Sequence, residues 1–207
     1  ALLRDLAEMA RLISDLLESE RLAGRHQALH REITDPVGLA HELIEELATT
    51  QPVARNIAVH AAPGVPTMAL DRTRVRLLLR NLLDNALKYT PPGGTIEILL
   101  EVDEEDVVLT VHDSGVGIAA ELLPHVFDVF VQGTSTLDRA QGGLGIGLAL
   151  VRGIVGLHGG TVDAASDGPG RGSEFTVRLP LAAGADCPAA GPAEDGVPAT
   201  VIATAAD

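Results

Sequence analysis

The chain has 207 residues, of which 46% are hydrophobic, enough to bury the core of one domain of ordinary size. Its net charge of −14 and the lack of a long basic run argue against nucleic acid as a partner. Cys187 is the one cysteine, which excludes disulfides and a cysteine-rich metal site, and no window approaches the roughly 18 to 20 apolar residues of a membrane helix.

The first predicted element is an amphipathic helix in residues 1–24. Its apolar side chains recur at alternating steps of four and three residues, typical of a helix packed against another helix: Leu2, Leu6, Met9, Ile13 and Leu16. A surface helix packed on its own domain is the alternative. The pattern starts without a Met or a signal peptide, so we expect a fragment of a longer protein. Residues 25–36, which end at Asp35-Pro36, are predicted to form a linker.

A second amphipathic helix is predicted from Val37, in "VGLAHELIEELAT". Two short strands follow, in "RNIAVHAA" and "VPTMAL". The side chain of Asp71 can accept hydrogen bonds from the free amides that start the next helix, which should run to about Tyr89 and end before "TPPGG".

The segment from there to Leu181 is rich in strands. A hairpin is predicted from "TIEILLEV" and "VVLTVHD" around the acidic turn "DEED", and two last strands from "GTVDAAS" and "SEFTVRLP". Between them lie a glycine-rich stretch around the short helical segment "AELLPHVFDVF" and a helix, "IGLALVRGIVGLHGG", that ends in glycines. Residues 182–207 are dominated by Ala, Gly and Pro and are predicted to be a disordered tail.

Strands grouped with long helices, without a regular βαβ alternation, indicate an α+β fold. We expect residues 37–181 to form a two-layer α/β sandwich, in which helices cover one face of a mixed β-sheet. The bundle-type helix of residues 1–24 would precede this domain.

Three polar side chains share one face of the predicted helix that ends near Tyr89. Asn81, Asn85 and Lys88 lie at positions i, i+4 and i+7. An amide oxygen suits Mg²⁺, and an ammonium suits phosphate oxygens. A solvated polar face is the alternative, but the chain contains 14 Arg and only one Lys, which favours a function for this Lys.

The segment "DSGVG" directly follows a predicted strand. The Asp113 carboxyl can accept a hydrogen bond from the exocyclic amine of a base, and Gly115 and Gly117 let the backbone turn and approach a flat ligand. On its own, such a motif is more often only a turn.

The segment "GGLGIGL" places three glycines before a helix, Gly143, Gly145 and Gly147. Free amides and the helix dipole favour a phosphate chain at such a position. Its spacing, and the lack of a parallel βαβ unit around it, separate it from the dinucleotide-binding fingerprint.

In this order, the motifs resemble the ATP-binding catalytic domain of bacterial sensor histidine kinases, which has a Bergerat-type fold. "RNLLDNALKYTPPGG" is similar to their N box, "DSGVGI" to the G1 box, "VFDVF" to the F box and "GGLGIGLALV" to the G2 box. The resemblance covers residues 37 to 180 and includes "GSEFTVRLP" as the closing strand.

The resemblance implies a role for each matching residue. Asn85 would ligate Mg²⁺, Asn81 would help to hold the phosphates of ATP, and Lys88 would contact them, so these three would be the catalytic residues. Asp113 would bind the adenine amine. Further contacts with the nucleotide or its lid are implied for Tyr89, Gly115, Gly117, Ile118, Phe127, Phe130, Arg139, Gly143, Gly145, Gly147 and Leu148.

The resemblance also implies the reaction and the partners. The γ-phosphoryl group of ATP would pass to a histidine on a phosphoacceptor helix of the same or the partner subunit, and then to an Asp in the receiver domain of a response regulator. The parent would be a homodimer with a cytoplasmic catalytic domain, and it could be anchored in the inner membrane, as most relatives are.

The acceptor histidine of such kinases lies in a His-Glu-x-x-x-Pro motif on the first helix of a dimerisation hairpin. "LAEMARLISDLL" resembles the second helix of that hairpin. His41 follows it and has no Pro near position 46, so it is not expected to be the acceptor. The fragment would therefore bind Mg²⁺ and ATP and donate in trans, without phosphorylating itself.

Related ATPases of the gyrase, Hsp90 and mismatch-repair type place a Glu base where this chain has Asn81, and an amide cannot take a proton from water. Hydrolysis as the main function is therefore disfavoured. Two alternatives share the fold and stay open. One is a kinase-like scaffold without activity, and the other is an anti-sigma-factor kinase that phosphorylates Ser, against which the helix of residues 1–24 argues.

Overall fold

The computed structural model describes residues 28–50, 56–131 and 145–181. The predicted helix of residues 1–24, the tail of residues 182–207, and the site residues Arg139 and Gly143 lie outside the described residues.

The helices lie where the hydrophobic periodicity predicted them. Helix α1 spans Pro36–Thr50, α2 spans Arg72–Tyr89 and α3 spans Gly147–Leu157. Asp71 is the N-cap of α2, as expected, because its Oδ1 accepts a hydrogen bond of 3.1 Å from the amide of Arg74. The buried face of α2 is formed by Val75, Leu78, Leu79, Leu82, Leu83 and Ala86.

Two short strands, β1 (Glu32–Thr34) and β3 (Met68–Leu70), pair antiparallel with each other and not with the main sheet. The residues of β1 fall in the segment that was expected to be a linker. Three residues are too few for an alternating pattern to show, so the sequence carries no signal for this strand. The amide of His30 also donates to the Asp71 carboxyl, which ties this segment to the start of α2.

The main sheet has five strands: β2 (Asn56–Ala61), β4 (Thr95–Asp103), β5 (Asp106–Asp113), β6 (Thr161–Ala165) and β7 (Ser173–Pro180). In space they follow the order β2-β4-β5-β7-β6. Strand β2 runs parallel to β4, and the other neighbours are antiparallel, so the sheet is mixed, as predicted.

One face of the sheet is buried against the helices and the other faces solvent. Ile98, Val111 and Phe175 are neighbours across three strands and belong to the same core as the helices. One residue further along β4, Leu99 is 37% exposed. This alternation produces the two-layer α+β sandwich that the sequence predicted.

The segment "AELLPHVFDVF" differs from its expected helical form. It contains one 3-10 turn, Leu123–His125, and otherwise forms turns. Pro124 supplies no amide hydrogen and so limits a regular α-helix here. In the described part of the chain, no helix combines the length and apolarity that crossing a membrane requires.

Candidate nucleotide-binding site

The end of α2 and the Asp-x-Gly-x-Gly motif after β5 are joined by their backbones. The amide of Val116 donates a hydrogen bond of 3.1 Å to the carbonyl of Tyr89. The amide of Ser114 donates to the carbonyl of Thr95 at the start of β4. The two motifs that were predicted to contact the phosphates and the base are therefore adjacent.

Asp113 is the last residue of β5 and its side chain is fixed in place. It is 2% exposed. Its Oδ1 accepts a hydrogen bond of 2.8 Å from the amide of Gly115, and its Oδ2 accepts one of 2.5 Å from the hydroxyl of Ser173. Each carboxyl oxygen has two lone pairs, so each can still accept from a further donor such as the amine of a base.

Ser173 and Ser166 are functional candidates that the sequence motifs did not reveal. Ser173, the first residue of β7, donates to Asp113 from 60 positions along the chain. Ser166 follows β6 and accepts a hydrogen bond of 2.9 Å from the amide of Ile118. The only sequence signal was the polar, glycine-rich stretch "SDGPGRGS", which marks a turn between two predicted strands.

Gly117 has no room for a side chain. Its φ is +70°, and a Cβ atom would lie 2.1 Å from the carbonyl oxygen of Gly168. This close backbone approach requires glycine and holds the motif after β5 against the loop between β6 and β7. Ile118 follows as a partly buried residue that packs on the core.

The polar face of α2 divides into two environments. Asn85 and Lys88 are half-exposed, and the ammonium of Lys88 lies 5.0 Å from the centre of the Tyr89 ring. Asn81 is 6% exposed and its Nδ2 donates a hydrogen bond of 2.9 Å to the carbonyl of Leu77. Asn85 and Lys88 are therefore the more accessible members of the predicted trio.

The buried Asn81 faces the first turn of α3. A Cβ atom added to Gly147 would lie 2.7 Å from Oδ1 of Asn81, which is closer than real Cβ atoms approach. The glycine at position 147 thus lets the two helices meet at this point. Leu148, the next residue, is partly buried and packs on the core.

The two phenylalanines of the "VFDVF" segment have different surroundings. Phe127 makes an edge-to-face contact with Phe175, with ring centres 6.3 Å apart, whereas Phe130 is 68% exposed. The amide of Phe130, whose φ is +64°, donates to the carbonyl of Gly145. This bond brings together residues that lie on either side of the undescribed stretch 132–144.

Three polar side chains connect the "VFDVF" segment to α3. The carboxyl of Asp128 bonds to the His125 ring at 3.0 Å and to the guanidinium of Arg152 at 3.4 Å. The hydrogen bond with His125, assisted by Arg152, lowers the pKa of Asp128. All three groups are solvent-accessible, so we assign them a minor structural part.

A family model described as histidine kinase-, DNA gyrase B-, and HSP90-like ATPase matches residues 70–183, more than half of the chain. The chain belongs to this family of ATPases. The match includes α2, the motif after β5 and the closing strand β7, so ATP is the nucleotide that this domain uses.

Curated relatives of the ATPase domain are sensor kinases. The chain is 36% identical to the adaptive-response sensory kinase SasA of Synechococcus elongatus, over 85% of this chain and 45% of that protein. It is 35% identical to the sensor histidine kinase CusS of Escherichia coli, over 86% of this chain and 36% of that protein. The sensor protein KdpD of Clostridium acetobutylicum is 32% identical, with 85% of this chain and 19% of that protein covered.

The chain thus spans less than half the length of these relatives. Solved structures share its fold, and two of them show the extent of the match. Full-length ShkA in complex with AMPPNP has a TM-score of 0.73 at 27% identity, over 84% of this chain and 36% of that one. The nucleotide-free catalytic domain of histidine kinase ThkA has a TM-score of 0.65 at 26% identity, over 74% and 97% of the two chains.

The comparisons confirm the predicted fold class and the predicted family. The chain contains the ATP-binding domain of this family, and the relatives that it matches are sensor histidine kinases.

Proposed function

We propose that this chain binds ATP together with Mg²⁺ and donates the γ-phosphoryl group in trans to a histidine on a separate phosphoacceptor helix. The phosphoryl group then passes to an Asp in the receiver domain of a response regulator. An imidazole nitrogen attacks the γ-phosphorus, the bond to the bridging oxygen breaks, and ADP leaves. The single observation that carries this proposal is the fixed carboxyl of Asp113, in a motif whose backbone is hydrogen-bonded to the end of α2.

Recognition of the base rests on Asp113. Its two hydrogen bonds, from Gly115 and Ser173, orient the carboxyl before any ligand arrives. The adenine amine is a donor that this carboxyl can accept, and the oriented acceptor loses little conformational entropy on binding. Gly115, Gly117 and Ile118 would line the base, with Tyr89 beside it.

The phosphate side of the site would be formed by Asn85 and Lys88. The amide oxygen of Asn85 is a hard ligand that suits Mg²⁺. In such sites Mg²⁺ has few protein ligands and is held mainly by phosphate oxygens. Among the described residues, no group of three His, Cys, Asp or Glu side chains could hold a metal by itself. When bound, Mg²⁺ would neutralise charge on the phosphates, and Lys88 would add a further positive charge.

The remaining phosphate contacts come from the start of α3. Gly145, Gly147 and Leu148 would support the phosphates through the free amides of the first turn, and Asn81 contributes by packing against that turn. Phe127 would anchor the preceding segment through Phe175, and the exposed Phe130 would be free to contact the phosphoacceptor helix. Arg139 and Gly143 keep their proposed places in the lid.

Transfer to a protein is favoured over hydrolysis by the side chain at position 81. An amide there cannot accept a proton from water. Asn85 and Lys88, the other two polar residues of this face, have no carboxyl group that could act as the base instead. Positioning and charge neutralisation are then the main sources of catalysis, as in phosphoryl transfer generally.

The organisation of the parent protein belongs to the same proposal. Residues 1–24 would be the second helix of a dimerisation hairpin, and residues 182–207 would be a tail. The catalytic domain would begin at β1, before the predicted boundary at residue 37, because β1 pairs with β3, and it would end at Leu181. The heptad-like spacing of apolar residues in 1–24 supports this assignment. We place the catalytic portion on the cytoplasmic side of a homodimeric parent.

The direct test mixes the chain with γ-labelled ATP, Mg²⁺ and a separately produced phosphoacceptor hairpin from a sensor histidine kinase. We expect acid-labile label on the hairpin, none when its acceptor histidine is replaced by Gln, and at least about tenfold less with Asn85→Ala, because a metal ligand is lost. Asn56→Ala, an exposed asparagine at the start of β2, is the matched control. Rapid release of free phosphate with an unlabelled hairpin would show a hydrolase instead.

A further inference from the structure

The loop between β6 and β7, residues 166–172, is built against the motif that follows β5. We propose that Ser166 in this loop is a positioning residue for recognition of the base. It acts through Ile118, Gly172 and Ser173 on the Asp113 carboxyl. The inference rests on the proposed function, because it assigns base recognition to Asp113.

Ser166 connects three backbone groups through one hydroxyl. Its Oγ accepts hydrogen bonds from the amides of Ile118 at 2.9 Å and Gly168 at 3.3 Å. It donates one of 2.6 Å to the carbonyl of Gly172. A hydroxyl has one donor and two acceptor positions, so all of its capacity is used.

Two backbone hydrogen bonds lie beside this hydroxyl and hold the same two segments together. The amide of Gly170 donates to the carbonyl of Val116 at 2.6 Å, and the amide of Gly172 donates to the carbonyl of Gly115 at 3.1 Å. The loop 166–172 is therefore hydrogen-bonded along the whole motif from Gly115 to Ile118.

The loop is also continuous with the group that fixes Asp113. Gly172 is packed so closely that a Cβ atom would lie 2.0 Å from the carbonyl oxygen of Asp113. The next residue, Ser173, donates its hydroxyl to Oδ2 of Asp113. A shift of Gly172 therefore moves the Ser173 hydroxyl, and with it the direction in which the carboxyl accepts.

A residue that positions the base acceptor affects the preference between two nucleotides, whereas a residue that only stabilises the fold does not. The Asp113 carboxyl accepts from the amine of adenine, whereas inosine triphosphate has an oxygen in its place, which the carboxyl repels. Misplacing the carboxyl weakens ATP binding more than inosine triphosphate binding. A general loss of folding weakens both equally.

The experiment measures dissociation constants for ATP and inosine triphosphate by calorimetry with Mg²⁺, for the wild-type chain and for Ser166→Ala, Ser166→Thr and Thr49→Ala. Thr49 is the matched control, because its hydroxyl also donates to a backbone carbonyl, at 2.8 Å, on the exposed side of α1. We expect Ser166→Ala to weaken ATP binding about tenfold, by loss of hydrogen bonds to partly buried groups, and to reduce the preference for ATP. Ser166→Thr should recover most of both.

Two results would overturn the inference and leave the proposed function standing. One is wild-type ATP affinity and preference in Ser166→Ala. The other is an equal loss for the two nucleotides that follows the loss of folding measured by urea. A wild-type chain that does not bind ATP at all would refute the proposed function and the inference together.

Discussion

His158 connects the end of α3 to the start of α2 through both nitrogens of its ring. It is 2% exposed. Its Nε2 accepts a hydrogen bond of 3.1 Å from the amide of Asp71, and its Nδ1 donates one of 2.9 Å to the carbonyl of Ile154. An amide only donates and a carbonyl only accepts, so these partners require the neutral ring with its proton on Nδ1. His158 therefore has a structural role, joining the end of α3 to the start of α2.

Burial is the main cause that lowers the pKa of His158. The charges of Arg31 and Arg74 act in the same direction, while the hydrogen bond to Ile154 and the charge of Asp71 oppose them. Because the folded chain binds this proton less readily than the unfolded chain, its contribution to stability is complete above the ordinary histidine pKa of about 6.5. It is lost as the pH falls from there through the lower pKa of the folded state.

We expect His158→Gln to remove this pH dependence, because the amide does not titrate. At about pH 8 the variant should lose about 1–2 kcal/mol of unfolding free energy, as a buried hydrogen-bond network is disturbed. Urea unfolding between about pH 8 and pH 5 measures both effects, with the exposed His60→Gln on β2 as control. An unchanged pH slope in His158→Gln would show that another group titrates.

A second prediction at the scale of single residues concerns the contact between Asn81 and Gly147. Gly147→Ala should push a methyl group into the Oδ1 of Asn81, which its bond to Leu77 holds in place, and lower the unfolding free energy by about 1–3 kcal/mol. It should also weaken ATP binding. Asn81→Ala combined with Gly147→Ala should recover most of both losses, because the smaller side chain removes the collision.

The control for this pair lies on the same helix. Gly156 on α3 has open space where a Cβ would go, so Gly156→Ala should keep its ATP affinity and gain up to about 1 kcal/mol of stability. If the double variant binds ATP no better than Gly147→Ala, Asn81 contacts the nucleotide itself. Calorimetry and urea unfolding of the same four proteins separate these outcomes.

Placements that depend on spacing within one helix or strand could be predicted from the sequence, and contacts between distant segments could not. The sequence showed that Asn85 and Lys88 lie on one face of a helix. It also showed that Asp113 lies at the end of a strand. Ser173 and Ser166 reach partners 60 and 48 positions away, and a serine in a turn has no distinguishing pattern. The burial of Asn81 was also invisible, because it depends on α3 packing over it.

At the scale of elements, the motif after β5 and the loop between β6 and β7 are in direct backbone contact beside the Ser166 hydrogen bond. The contact of Gly117 with the carbonyl of Gly168 is the closest point. We expect Gly117→Ala to separate the loops, since a backbone carbonyl cannot rotate away as a side chain does. ATP affinity should fall about tenfold or more, with loss of the packing that orients Asp113.

Gly64 provides the matched control for this variant. Its φ of +92° is also positive, but nothing lies within 4 Å of the Cβ position. Gly64→Ala therefore carries the backbone strain alone, about 1–2 kcal/mol of stability, and should bind ATP as the wild type does. Equal ATP affinities for Gly117→Ala and Gly64→Ala would show that the loop contact does not matter for binding.

Helices and long strands followed from hydrophobic periodicity, and β3 was also predicted, whereas the short strand β1 was not. The Asp71 cap, the end of α2 at Tyr89 and the β4–β5 hairpin were predicted close to their observed bounds. Strand β1 was missed because three residues cannot show a period, and it forms only through pairing with β3.

At the scale of the whole molecule, the sequence indicated the layers but not the order of the strands. Strands in which apolar and polar residues alternate bury one face of their sheet. The apolar sides of the amphipathic helices pack on that face, so a two-layer sandwich follows. The position of β7 between β5 and β6 depends on contacts far apart in the chain, for which local patterns carry no information.

The central claim is that this fold binds ATP through the Asp113 carboxyl, and calorimetry with ATP and Mg²⁺ tests it most directly. Asp113→Asn should raise the dissociation constant about 30-fold, equivalent to about 2 kcal/mol for a hydrogen bond to a charged group. Asp106→Asn, at the other end of β5, removes the same charge and should bind as the wild type does. Equal ATP affinity in the wild type and Asp113→Asn would contradict the account.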